Sequence, residues 1–146
     1  GSKPELRTCC DYGLLAKVHM VRSGGAYHVA AIEAFPMTDM HRIARALPAD
    51  EAGKRVQVLN VLAEALDDPA TQSQGVRFAV RKDGTGLYCD KARMAAAPSK
   101  IAKMCAGFVA HTPASDEVRQ RVRAAPDPSS PRGKRKNKGK SRRRRR

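Results

Sequence analysis

The last fifteen residues set the first limit on what this chain can fold into. Residues 132–146 hold eleven basic side chains, namely Arg132, Lys134, Arg135, Lys136, Lys138, Lys140, Arg142, Arg143, Arg144, Arg145 and Arg146. They hold no acidic and no apolar one. The whole chain carries 29 Lys and Arg against 14 Asp and Glu, a net charge of +15. Without that segment, 18 basic residues face 14 acidic ones, a net of +4. A run of this kind has nothing to bury and repels itself, so the sequence predicts an extended, disordered tail. Its partner is expected to be a polyanion. Each Lys or Arg that docks on a phosphate releases condensed counterions, and an Arg fork matches phosphate or sulfate oxygens in pairs.

The remaining length suffices for one modest core. Gly1-Ser2 reads as a cloning remnant, and the natural chain is expected to extend beyond Lys3. Three parts follow: a small domain over 3–112, a short helix and Pro/Ser linker over 113–131, and the tail over 132–146. No apolar run has the length of a membrane helix.

Within the domain, Leu14, Ala16, Val18 and Met20 alternate with Lys17 and His19, which predicts a half-buried strand. Gly24-Gly25 supplies a tight turn into a second strand, Tyr27 to Phe35, ended by Pro36. Met40, Ile43, Ala44 and Leu47 then stand at helical spacing behind Thr38, a good N-cap, with His41, Arg42 and Arg45 off the stripe. Val58, Leu59, Leu62, Ala63 and Leu66 form the apolar face of a second helix, from about Arg55 to Leu66. Val76, Phe78 and Val80 alternate with Arg77 and Arg81. The turn 82–86 returns the chain into Leu87–Cys89 as a second hairpin. Ile101, Met104, Cys105 and Phe108 mark a helix behind Ser99, with Cys105 turned to the core. Ser115 caps a short surface helix to Arg123. The expected class is α+β: two antiparallel hairpins in one four-stranded sheet, about three helices on one face, and a basic tail.

Lys17, Arg42, Arg45, Arg77 and Arg81 lie off the apolar faces and form a candidate auxiliary basic face that extends the tail's footprint. No aromatic pair of the kind an RRM uses stands on a strand, and the element order is not that of a double-stranded-RNA domain. The four histidines and Cys9, Cys10, Cys89 and Cys105 lack zinc-ligand spacings, so no metal or other cofactor is expected. No nucleophile, phosphate-loop or zinc-protease motif is present, which argues for a binding protein and against an enzyme. The four cysteines read either as reduced thiols of an intracellular protein or as two disulfides in one of three connectivities.

Cys10-Asp11-Tyr12, running into Leu15-Ala16-Lys17-Val18, and the later Gly86-Leu87-Tyr88-Cys89-Asp90 resemble the first and late strands of netrin-like modules. The resemblance covers about twenty residues. It implies a secreted, disulfide-bonded β-barrel whose basic C-terminus binds heparan sulfate. The helical stripes between the hairpins and the absence of middle cysteines depart from that pattern. Taken together, the sequence predicts a non-enzymatic polyanion-binding protein. Nucleic acid, RNA ahead of DNA, is its first expected partner, and the tail doubles as a nuclear or nucleolar address. The alternative is a secreted, matrix-bound module that holds a sulfated glycan. A protein partner for the folded domain fits either reading.

Overall fold

The computed structural model describes residues 12–40 and 42–124. The polybasic segment 132–146, Cys9, Cys10 and His41 lie outside the described residues. The chain is α+β. An antiparallel sheet runs β1(Tyr12–Ser23), β2(Ala26–Thr38), β5(Gly86–Cys89), β4(Ala79–Val80), and the two-residue β3(Arg45–Ala46) pairs with the end of β2. The helices are α1(Ala49–Ala63), α2(Ser99–Cys105) and α3(Asp116–Ala124), with 3₁₀ turns at Glu64–Leu66 and Lys91–Ala96.

The two hairpins form where the glycines allow. Gly24 and Gly25 have φ of 60° and 79°, the left-handed pair that a two-residue turn between right-twisted strands requires. Gly84 has φ 82° and a backbone so close to the Ala49 carbonyl that a Cβ would collide with it.

The second strand does not end at Pro36. It runs on to Thr38, and the helix expected over 38–47 is absent. Pro36 accepts from Leu47 N–H (3.2 Å) on the side of β2 away from β1. Its missing N–H therefore also faces away from β1, and β5 pairs only as far as Ala34. The proline thus removes no bond from the β1–β2 ladder, and β3 fills the position instead. Asp39 turns the chain with φ 56°. Of the expected helical stripe only Leu47 is buried, while Ile43 is exposed.

β2 is the central strand and is apolar on both faces. Ala31, with Leu87 and Cys89 of β5, packs under Ile101 and Cys105 of α2, with Met94, Met104 and Phe108 around them. Ala34, one face over, packs with Val56 of α1 and Phe78, and Ile32, Val80 and Tyr88 complete that cluster. The helices therefore divide between two faces instead of sharing one. The sheet stays open, with β1 and β4 at its two edges, so it is not the closed barrel that a netrin-like module implies.

α1 starts at Ala49, ahead of the expected Arg55, and its buried line is Ala52, Gly53, Val56, Asn60 and Ala63. Leu62 and Leu66, assigned to the buried face by their spacing, are exposed. After α2 the chain passes the β4 edge. There Thr112 N–H donates to Phe78 O (3.1 Å), and the Thr112 hydroxyl oxygen accepts from Val80 N–H (2.8 Å). α3 then packs on α1. Ser115 Oγ caps it from Val118 N–H (3.3 Å), and Val118 is fully buried, so the folded unit continues past 112 to Ala124.

Candidate polyanion-binding surface

Alternation along β1 and β2 sets which side chains share a face. Lys17 is paired with Glu33, and His19 with Ala31, so all four face the α2 side of the sheet. Glu33 is the centre of a network there. His19 Nε2 lies 2.9 Å from one of its oxygens, and Arg81 donates to the other at 2.8 Å. Arg81 also donates from Nε to the Thr85 hydroxyl (2.8 Å). The Glu33 side chain is only 12% exposed. Burial alone would raise its pKa, but the hydrogen bonds and charges of His19 and Arg81 outweigh it and hold the carboxyl below its ordinary value.

The structure separates the five basic residues expected to form one face. Lys17 and Arg81 meet around Glu33. Arg45 pairs with Asp39, donating from Nε at 2.7 Å, in the exposed loop that also carries Arg42. Arg77 pairs with Asp67 (2.5 Å) near the end of α1, on the opposite side of the sheet. It holds that carboxyl below its ordinary value through their hydrogen bond. Three of the five cations thus sit on carboxylates, and the residues occupy three places.

Spacing did not single out the most exposed basic side chains of the α2 layer, Lys91, Lys100 and Lys103. A signal for them exists in the sequence: 91–115 holds four Lys and Arg and no Asp or Glu. Lys100 and Lys103 stand three apart on α2, opposite the buried Ile101 and Cys105. Lys91 opens the 3₁₀ turn, which Asp90 caps by accepting from Ala92 N–H (3.0 Å). Cys89 and Cys105 are joined by a disulfide with Cα atoms 6.0 Å apart, which fastens α2 to β5 across the turn.

Among the described residues no group of three or more His, Cys, Asp or Glu could hold a metal ion, and no helix is long and apolar enough to cross a membrane. No family model, no curated protein and no solved structure matches this chain.

Proposed function

We propose that this chain is a polyanion-binding protein in which a small, disulfide-fastened domain carries a polybasic segment, Arg132 to Arg146. The charge carries the reading: eleven of fifteen residues in that segment are basic, and none is acidic. Such a segment supplies affinity and association rate through counterion release and long-range attraction.

The disulfide bears on which polyanion this is. Structural disulfides persist in oxidising surroundings and are rare in the cytosol and nucleus. The Cys89–Cys105 bond therefore favours a sulfated glycan outside the cell. Nucleic acid is the second reading. It is favoured by the Arg142–Arg146 run, which suits phosphate oxygens equally well and would also serve as a nuclear or nucleolar address.

The test is affinity against salt for the full-length protein, using a heparin oligosaccharide, a single-stranded RNA and a DNA duplex as probes. On duplex DNA, six to eight phosphate contacts would give a log–log slope of roughly −5 to −7. Changing Arg142 to Arg146 to Ala should flatten the slope and weaken binding to all sequences alike, because contacts to phosphates carry no base information. Binding to none of the three probes, or binding indifferent to salt and to those five arginines, would falsify the reading. Preference for heparin at equal ionic strength selects the glycan, and preference for RNA or DNA selects nucleic acid.

A further inference from the structure

Charge on the folded body is distributed unequally across the sheet. On the α2 side stand Lys17, Arg81, Lys91, Arg93, Lys100 and Lys103, against Glu33, Asp90 and, in the turn beside Arg81, Asp83. On the other side, α1, α3 and the loop after α1 carry six basic residues and seven acidic ones. Several of those basic residues are neutralised in place. Arg119 pairs with Glu64 (2.7 Å), Arg121 with Glu117 (2.5 Å) and Arg77 with Asp67 (2.5 Å). These acids of the α2 side are themselves engaged: Glu33 by His19 and Arg81, Asp83 by accepting from Thr85 N–H (3.0 Å), and Asp90 by the turn it caps. Lys17, Lys91, Lys100 and Lys103 are all exposed.

Resting on the polyanion reading above, we infer that the body has its own docking site for a sulfated glycan on the α2 layer. The site is formed by Lys91, Lys100 and Lys103 with Lys17 beside them, and the Cys89–Cys105 bond holds its two segments together. Lys91 lies two residues after Cys89, and Lys103 two residues before Cys105. With the bonded Cα atoms 6.0 Å apart and about 3.5 Å per extended residue, the Cα atoms of Lys91 and Lys103 lie within about 20 Å of each other. The exposed residues between Lys91 and Lys100 have short side chains: Ala92, Ala95, Ala96, Pro98 and Ser99. A rod-like anionic chain can therefore approach closely while the ammonium groups stand proud.

Two observations favour a glycan over a nucleic acid. A single strand is held by stacking its bases on aromatic rings. Neither aromatic ring on this side among the described residues is open to a base: Phe108 is half-buried against the core and set edge-on to Tyr88 at 6.3 Å, and Phe35 is half-buried with the Arg81 guanidinium over its ring at 5.9 Å. The layer is also built around the disulfide, which places it with ligands of oxidising compartments.

The experiment uses the full-length protein in four forms: unaltered, K91A/K100A/K103A, Arg142 to Arg146 changed to Ala, and K54A/K82A/R123A. The last removes the same charge from other parts of the surface. Affinity for a heparin dodecasaccharide and for a single-stranded RNA of matched charge is measured from 50 to 300 mM NaCl. The α2-layer variant should lose heparin affinity about tenfold and flatten its slope by roughly 2, from three contacts at about 0.7 each. It should do so at an unchanged melting temperature, and the equal-charge control should lose less than half as much on a logarithmic scale. Equal losses in the two triple variants would show general attraction without a site and overturn the inference. So would an unaltered slope in the α2-layer variant; if the tail variant binds weakly in that same experiment, the polyanion reading survives. A larger loss for RNA than for heparin would make nucleic acid the occupant and overturn the glycan assignment. Absence of binding in the unaltered protein would remove both this inference and the reading beneath it.

Discussion

Replacing Asn60 by Ala should cost this domain more stability than its modest size suggests. Asn60 is the one buried polar side chain among the described residues. From α1 it donates to Phe78 O (2.8 Å) and Thr112 O (3.1 Å), and it accepts from Phe78 N–H (2.8 Å). It therefore ties the helix to the approach to β4 and to the segment that closes the sheet edge. Three bonds at about 1 kcal/mol each, with Phe78 N–H stripped of this acceptor, put the loss at about 2 to 4 kcal/mol. Against a domain stability of about 5 to 15 kcal/mol this is a large fraction. In urea, with a slope near 1.5 kcal/mol per M, the midpoint should fall by roughly 1.3 to 2.7 M with the slope unchanged. Asn60→Asp separates the hydrogen-bond account from a simple packing defect. It keeps the acceptor for Phe78 N–H but sets an anionic oxygen against the carbonyls of Phe78 and Thr112. Its carboxyl should then titrate higher in the fold than in the unfolded chain. The bond it makes when protonated is present at low pH and lost as pH rises through the folded value. Asn60→Asp should therefore lie closer to the unaltered protein at about pH 4 than at about pH 7, while the deficit of Asn60→Ala stays constant. A loss below about 1 kcal/mol for Asn60→Ala, with the slope unchanged, would refute this reasoning.

Reducing Cys89–Cys105, whose partners are 16 residues apart, should lower stability by about 3 kcal/mol, read as the urea midpoint with and without a phosphine reductant. Glu33 is held below its ordinary value, so its contribution is present above the unfolded pKa of 4.5 and is lost as pH falls through the lower folded value. Glu33→Gln should thus flatten the stability profile between about pH 5 and about pH 3; an unchanged profile would show that the His19–Glu33–Arg81 network contributes nothing. Removing 132–146 should leave the melting temperature of the body nearly unchanged, because that segment has no apolar side chain to bury. A fall of several degrees in calorimetry would mean that the tail docks on the folded domain.

The hairpins were legible because their signals are local. Glycines at 24, 25 and 84 take positive φ that other residues resist, and the alternation around Phe78 and Val80 has the strand period. Ile101 and Cys105 were legible for the same reason, as a helical pair behind Pro98. The stripe Met40–Ile43–Leu47 misled because its competitor is tertiary: an extended β2 whose ladder with β1 tolerates Pro36 and which recruits Arg45 and Ala46. The stripe on α1 was rotated for a different reason. The line that faces the sheet is built from Ala52, Gly53, Ala63 and Asn60, with Val56 as its only large apolar member. Small residues let the helix sit close to Ala34, and Asn60 is buried by the bonds it makes, which hydropathy does not register. For the candidate surface, charges were legible and their pairing was not. Glu33 and Arg81 are 48 residues apart, so only the fold shows that this arginine is already engaged.

The same burial pattern explains why β1 is tolerated as an open edge. α1 packs on β2 and β4 and meets β1 at Tyr12, whose ring lies 3.7 Å from the Arg55 guanidinium. Further along, Leu14 at 45%, Val18 at 50% and Met20 at 52% exposure are left open on one face of a twelve-residue strand. The sequence assigned those residues to the core, and they are outside it. An exposed, long apolar edge offers unpaired backbone groups to another chain. Two features of β1 blunt it. Its register with β2 slips at His19/Met20, where Ala30 of β2 is the extra residue, which adds twist to the pair and interrupts its repeat, and Lys17 sets a charge in the middle of the strand on its other face. The third feature acts at a distance. At a net charge of +15, two copies that approach edge to edge repel before short-range attraction acts, with a strength that falls as salt shortens the screening length from about 30 Å at 0.01 M to about 8 Å at 0.15 M. On the proposed function, a bound polyanion would cancel that repulsion as well and so would link ligand binding to the exposure of β1 through the charge of the same chain.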